Sequence, residues 1–180
     1  MSASHPSRRG WLAAAAGLVM AGVGAGLAWR TSSRQSEALL EAEHFFWQQQ
    51  FSQLDGVMLA TNAFKGKPLV LNFWATWCPP CVEELPLINN FFLQNKVKGW
   101  QVLGLAVDQA APVGRFLAVT SLSFPVALVG FSGLEMSRLL GNLGGALPFT
   151  VVFDSTGHVL HRKMGKLTSE DLSLWERSSI

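Results

Sequence analysis

Two cysteines, Cys78 and Cys81, are the residues best suited to chemistry in this chain of 180 residues, which contains no other cysteine. Separated by two prolines, they form a Cys-Pro-Pro-Cys motif. A pair at this spacing either exchanges with disulfides or contributes to a metal site. A structural zinc site needs about four ligands, but the chain has no second cysteine pair and only four scattered histidines. Thiol–disulfide chemistry is therefore the favoured interpretation.

The residues on either side predict how this pair is positioned. The apolar, partly β-branched run Pro68–Trp74 is typical of a strand buried on both faces. After the motif, apolar residues recur at helical spacing from Val82 to Phe92. Cys78 is therefore expected at a strand-to-helix junction, where unpaired N–H groups and the positive end of the helix dipole favour a thiolate.

Strand and helix patterns alternate along the remainder of the chain. The predicted strands are 57–60, 68–74, 100–107, 124–129, 148–153 and 158–162, the last two forming a hairpin. The predicted helices span 35–50, 82–92, 114–121 and 134–140, with a final one starting near Thr168. This order predicts an α/β domain, with a central mixed sheet flanked by helices on both faces.

The N-terminal residues are expected to direct the chain across a membrane. A short basic segment carrying Arg8 and Arg9 precedes an uncharged apolar run from Trp11 to Trp29. Residues 1–30 are thus either a cleaved export signal, similar to the twin-arginine type, or a membrane anchor. Either alternative places the cysteines outside the cytoplasm. We assign 31–50 to an N-terminal helix or linker and 51–180 to the folded domain.

Composition limits the partners of that domain. Three of the 14 basic residues lie within residues 1–30, which leaves 11 against 12 acidic residues in the remainder. A domain so close to neutral gives no basis for a nucleic-acid partner. The sequence also predicts neither a cofactor nor a resident metal ion.

Several segments, in this order and spacing, resemble the exported TlpA/ResA-type thioredoxin-like proteins. The similarity extends from about Phe51 to Trp175 and implies a thioredoxin fold. It is carried by the segments Leu54-Asp55-Gly56, Phe64-Lys65-Gly66-Lys67-Pro68, Asn72 to Cys81, Glu84-Leu85-Pro86, Asp108, Leu147-Pro148-Phe149-Thr150 and Phe153 to Gly157.

The resemblance implies a role for individual residues of the motif. Cys78 is expected to be the attacking thiol and Cys81 the thiol that resolves the mixed disulfide. Pro148 is expected to follow a cis peptide bond in a loop against the dithiol, an X–Pro bond being the usual place for one. Pro86 is expected to kink the helix. The substrate is expected to contact Trp77, Pro79, Pro80, Leu147 and Pro148.

Three polar residues near the motif have alternative interpretations. Glu84 lies one helical turn after Cys81, so it either exchanges the proton of that thiol or is an ordinary first-turn glutamate that interacts with the helix dipole. Asn72 stands where thioredoxin itself carries a buried acid, which increases the importance of Glu84. Asp108, at a strand end, either faces the site or solvates a loop, and the loop is favoured.

These observations predict a periplasmic thiol–disulfide oxidoreductase. Since Pro79 and Pro80 lack N–H groups, Cys78 has few donors to stabilise its thiolate, which favours a reductase. The resemblance implies electrons from a membrane thiol carrier and an exported protein disulfide as substrate, for example in apocytochrome c. The alternatives are a disulfide-forming oxidant of the same fold and a copper metallochaperone, for which Met136 and Met164 are candidate additional ligands.

Overall fold

The computed structural model describes residues 36–178. The expected signal or anchor, including Arg8 and Arg9, lies outside this range, so it stays a prediction, as do the domain boundaries drawn from it. Within the described residues no helix has both the length and the apolar character needed to cross a bilayer.

Seven strands form one sheet, in the order β2-β1-β5-β4-β3-β6-β7. Their bounds are Gln50–Ser52 for β1, Met58–Ala60 for β2, Leu69–Trp74 for β3, Gln101–Ala106 for β4, Val126–Leu128 for β5, Phe149–Phe153 for β6 and Val159–Met164 for β7. The central strand β3 pairs in parallel with β4 and antiparallel with β6. The mixed sheet predicted from the sequence is therefore confirmed.

Five helices accompany the sheet in the described residues. The first, α1, covers 36–46, and it is followed by α2 (Pro79–Asn95), α3 (Ala110–Val119), α4 (Gly133–Leu139) and α5 (Ser169–Ser178). Short 3-10 turns occupy Thr61–Phe64 and Lys96–Lys98. The prediction that α1 continues to Gln50 was wrong, because Gln50 already pairs with Ala60 in the β1–β2 hairpin.

The sheet separates two apolar clusters because alternate residues of a strand point to opposite faces. On one face, Val70 and Trp74 of β3 join residues of α2, α3 and α5, together with both cysteines. On the other face, Leu71 and Phe73 join residues of α1 and α4. Helices thus cover both faces, and the dithiol belongs to the cluster beneath α2.

Candidate active site

Cys78 and Cys81 are joined by a disulfide, with a Cα–Cα distance of 5.3 Å. Cys78 is the N-cap of α2, four residues after the end of β3, so the expected strand-to-helix junction is present. Pro79 and Pro80 occupy the first helical positions, where proline costs no intrahelical hydrogen bond.

The two cysteines differ in exposure. Cys78 keeps 5% of its surface exposed, whereas Cys81 is fully buried. A disulfide partner approaching from solvent therefore meets Cys78 before Cys81.

The backbone around Cys78 offers few donors to its sulfur. Pro79 and Pro80 have no N–H, and the next two N–H groups, of Cys81 and Val82, both bond to the carbonyl oxygen of Cys78 at 3.0 and 3.2 Å. A thiolate at Cys78 would thus gain little from hydrogen bonds donated by the first turn of α2.

The loop before β6 runs alongside the dithiol. Phe149 pairs with Phe73 in the antiparallel β3–β6 ladder, so Pro148 lies beside the last residue of β3. The loop that leads to Cys78 begins there. The Leu147–Pro148 bond is cis, as the resemblance implied. Pro148 is buried, and half-buried Leu147 packs against the cluster that contains both cysteines.

Glu84 is the buried acid of the site. It lies one turn after Cys81 on α2 and is fully buried. Its Oε1 accepts a bond from Asn72 Nδ2 at 2.7 Å, and its Oε2 accepts one from the Leu167 N–H at 2.7 Å. Burial raises the pKa of the Glu84 carboxyl from 4.5 to about 7, against the lowering effects of the Leu167 N–H, Asn72 and Lys166.

Burial and proton affinity together disfavour the interpretation of Glu84 as an ordinary first-turn glutamate. A carboxyl that interacts only with a helix dipole stays solvated and ionised. Glu84 is instead able to hold or release a proton close to neutral pH, and it lies one helical turn from Cys81.

Asp108 corrects one sequence prediction. We expected it to solvate a loop, but it is only 6% exposed. Its Oδ2 accepts bonds from the N–H and the hydroxyl of Thr76, at 3.0 and 2.6 Å, and its Oδ1 accepts the Gln109 N–H. Asp108 therefore fixes the loop between β3 and Cys78, because Thr76 lies two residues before that cysteine.

The two tryptophans beside the motif have different environments. Trp74 is fully buried in the core, as expected, and its ring centroid lies 5.3 Å from that of Phe116. Trp77 is 55% exposed and Pro79 is also exposed, whereas Pro80 is half-buried. Trp77 and Pro79 thus present apolar surface on either side of Cys78 in the sequence.

The candidate metal ligands are dispersed. Met136 is buried in the cluster on the opposite face of the sheet, and Met164 is exposed on β7. His158 bonds to Glu43 of α1, and His161 stacks on Trp175. Residues 36–178 contain no group of three or more His, Cys, Asp or Glu side chains able to hold an ion.

Comparisons with known proteins agree with this geometry. Residues 48–177 match the redoxin family. The thiol-disulfide oxidoreductase ResA of Bacillus thuringiensis subsp. konkukian is 33% identical over 143 residues, which are 79% of this chain and 78% of that protein.

Solved structures give the same result for the fold. A thiol:disulfide interchange protein of the thioredoxin family from Chlorobium tepidum is 25% identical with a TM-score of 0.62, covering 73% of this chain and 92% of that one. A thioredoxin-related protein from Neisseria meningitidis is 26% identical with a TM-score of 0.64, covering 72% and 97%. The expected thioredoxin fold is confirmed.

Proposed function

The chain belongs to the redoxin family, as a thiol–disulfide oxidoreductase of the ResA type, and from this premise we propose that it reduces disulfides of exported proteins. The observation that carries the proposal is that Cys78 is the more exposed cysteine of the pair and that a buried acid, Glu84, lies one turn beyond the resolving Cys81.

In the first step, the Cys78 thiolate of the reduced protein attacks a substrate disulfide. The substrate S–S bond breaks, a mixed disulfide forms, and the first substrate sulfur leaves as a thiolate that takes a proton from solvent. We expect the substrate chain to contact the residues around Cys78, which are Trp77, Pro79, Pro80, Leu147 and Pro148.

In the second step, Cys81 releases the substrate. Glu84 accepts the thiol proton of Cys81, and the resulting thiolate attacks the sulfur of Cys78. The mixed disulfide breaks, the second substrate thiolate leaves, and Cys78 and Cys81 are left as the disulfide seen in the structure. Two electrons have moved from the protein to the substrate.

Separate features support the proposed direction and the proposed location. The lack of N–H donors on Pro79 and Pro80 leaves the Cys78 thiolate poorly stabilised, which supports a reducing role. The basic and apolar pattern of residues 1–30 supports export, with the domain soluble in the periplasm or anchored to the membrane. There a membrane thiol carrier restores the dithiol, and apocytochrome c is one candidate substrate.

Equilibration of the purified protein with glutathione buffers tests the direction. A reduction potential well below that of strong periplasmic oxidants, which is about −120 mV, supports a reductase. A potential close to that value would instead assign the chain to the disulfide-forming oxidants.

Covalent trapping tests the exchange reaction itself. The Cys81→Ser variant cannot resolve a mixed disulfide, so exported proteins should stay covalently linked to its Cys78. Added reductant should release them. The Cys78→Ser variant is the control and should retain none. If Cys81→Ser retains none either, and the reduced protein holds copper stoichiometrically, the metallochaperone alternative replaces the proposal.

A further inference from the structure

Three fully buried polar side chains meet below the dithiol. Asn72 on β3 and Thr150 on β6 are directly paired across the sheet, and Glu84 of α2 lies against them. Asn72 Nδ2 donates to Glu84 Oε1 at 2.7 Å and to Thr150 Oγ1 at 3.0 Å. From the strand side Glu84 is thus bonded to a neutral amide, and that amide is bonded in turn to a hydroxyl.

In this arrangement both carboxyl oxygens of Glu84 accept N–H donors, from Asn72 and from the main chain of Leu167. Such donors suit an ionised carboxylate. A protonated Glu84 has an O–H that needs an acceptor, and neither donor provides one. The Leu167 N–H is part of the backbone and cannot change its role, so any adjustment must come from Asn72.

Asn72 has the group required for this adjustment. Its Oδ1 is buried and has no hydrogen-bond partner in the described residues. The two ends of a carboxamide have nearly the same shape, so a half-turn about the last side-chain bond exchanges the NH2 group with the oxygen. Oδ1 would then accept the O–H of Glu84.

Thr150 suits both orientations. A hydroxyl is a donor as well as an acceptor, so Thr150 Oγ1 accepts from Asn72 Nδ2 now and would donate to Oδ1 after the half-turn. Asn72 makes two hydrogen bonds in either orientation, one to Glu84 and one to Thr150. The number of buried groups left without a partner does not change.

We propose that Asn72 and Thr150 are positioning residues that stabilise Glu84 in both of its protonation states, the Asn72 amide rotating each time Glu84 takes up or releases a proton. The inference rests on the proposed role of Glu84 toward Cys81, and it holds for reduction and oxidation alike. It needs no group other than those on β3, β6 and α2.

The charged surroundings of Glu84 are compatible with this role. Lys166, in the β7–α5 connection, lies close enough to lower the pKa of Glu84, but its ammonium group is paired with Glu83 at 2.5 Å. The groups that face Glu84 from the two strands, Asn72 and Thr150, are neutral. The Cys81 thiol, one turn earlier on α2, is the titratable group it serves.

Nuclear magnetic resonance of the oxidised protein tests the rotation, because Cys78 and Cys81 then do not titrate. Between pH 5 and 9 the Glu84 carboxyl carbon should titrate. As Glu84 becomes protonated, the Asn72 side-chain amide protons should shift with the same midpoint and lose their contact to Thr150. The buried amide of Asn95, which donates to the Phe91 carbonyl, is the control and should not respond.

Two outcomes would overturn the inference. One is an Asn72 amide that stays constant while Glu84 titrates, and the other is a Glu84 carboxyl that does not titrate in this range. Neither depends on turnover. Exchange with a small disulfide is measured on the same sample. If the wild-type protein exchanges normally while its Asn72 amide stays constant, the inference about Asn72 is contradicted but the proposed function is not.

The Asn72→Leu variant adds a functional readout. In this variant both protonation states of Glu84 lose their hydrogen bond to Asn72. The bond lost by the charged carboxylate is stronger than the bond lost by the neutral acid, so the titration midpoint of Glu84 should move to higher pH. The pH profile of exchange should move with it. Asn95→Leu replaces an equally buried asparagine and should leave both unchanged. An unshifted profile in folded Asn72→Leu would contradict the inference.

Discussion

At the residue scale, Glu84 connects the chemistry of the site to the stability of the fold. Its carboxyl is fully buried, and its pKa in the folded protein is about 7 rather than 4.5. The folded state therefore binds a proton more tightly than the unfolded state between these two values, and the stability contributed by protonated Glu84 is lost as pH rises through that window.

The Glu84→Gln variant isolates this contribution, because glutamine has a similar shape and does not titrate. Between pH 4.5 and 8 the wild type should lose about 3 kcal/mol more unfolding free energy than Glu84→Gln. Denaturant titrations at several pH values measure the difference. The control is Glu41→Gln, at an exposed position of α1, whose pH dependence should match the wild type. Parallel curves for wild type and Glu84→Gln would contradict the assignment.

Asp108 carries a second residue-scale prediction. The Asp108→Asn variant keeps the shape but loses one of two accepting oxygens, so the bonds to Thr76 and Gln109 cannot all form. We expect a loss of about 1–3 kcal/mol in stability. We also expect a changed pH dependence of Cys78 alkylation in the reduced protein, since the loop that holds the thiol is loosened.

Asp55→Asn is the matched control for Asp108→Asn. Asp55 is exposed and bonds only to the nearby Val57 N–H in the described contacts, so its replacement should leave both quantities nearly unchanged. An unchanged alkylation profile in Asp108→Asn would mean that the carboxylate supports the fold without positioning Cys78.

Residues close together in sequence were predictable at this scale, and distant partners were not. Cys78, Cys81 and Glu84 share a few turns of one helix, so spacing alone places them together. Asp108 and Thr76 are 32 residues apart, and their contact depends on the parallel pairing of β3 with β4, which no local pattern specifies.

At the element scale, the periodicity of apolar residues predicted the existence of most helices and strands. It was less accurate about the residues at which they begin and end. The strand β1 was missed because Gln50-Phe51-Ser52 is short and half polar, and its pairing with β2 determines its conformation. Helix α3 begins at Ala110, earlier than expected, and its last residue, Val119, is exposed. Within this helix Val113 is fully buried and Phe116 packs against the cluster that contains both cysteines.

Packing of α1 is expected to stabilise the domain without taking part in catalysis. Phe46 is fully buried and stacks on Phe153 at 5.0 Å, on the face of the sheet opposite the dithiol. Phe46→Ala should cost about 3–5 kcal/mol, while the exchange rate of the folded protein stays at the wild-type value. Thermal unfolding and a disulfide-exchange assay at low temperature measure the two effects.

Phe45→Ala is the control on the same helix. Phe45 is 45% exposed, so its replacement should change stability by no more than about 0.5 kcal/mol. A loss of exchange in folded Phe46→Ala would show that the two faces of the sheet are coupled.

At the scale of the whole molecule, the proposed direction of electron flow has a consequence for stability. A strong oxidant of this kind has a reduced form that is the more stable one. For a reductase the order is reversed, so we expect the oxidised protein to unfold at a higher denaturant concentration than the reduced protein. The doubly substituted Cys78→Ser, Cys81→Ser variant should unfold at the same concentration with and without reductant. A more stable reduced form would contradict the reducing role.

The burial of Trp74 near the disulfide has a consequence for the fluorescence of the protein. Its indole lies in the same cluster as the Cys78–Cys81 disulfide, and disulfides quench the fluorescence of nearby indoles. The chain has seven tryptophans and no tyrosine, so its ultraviolet emission comes essentially from indole. Reduction of the disulfide should therefore brighten the protein, and its redox state can be followed in real time without a label.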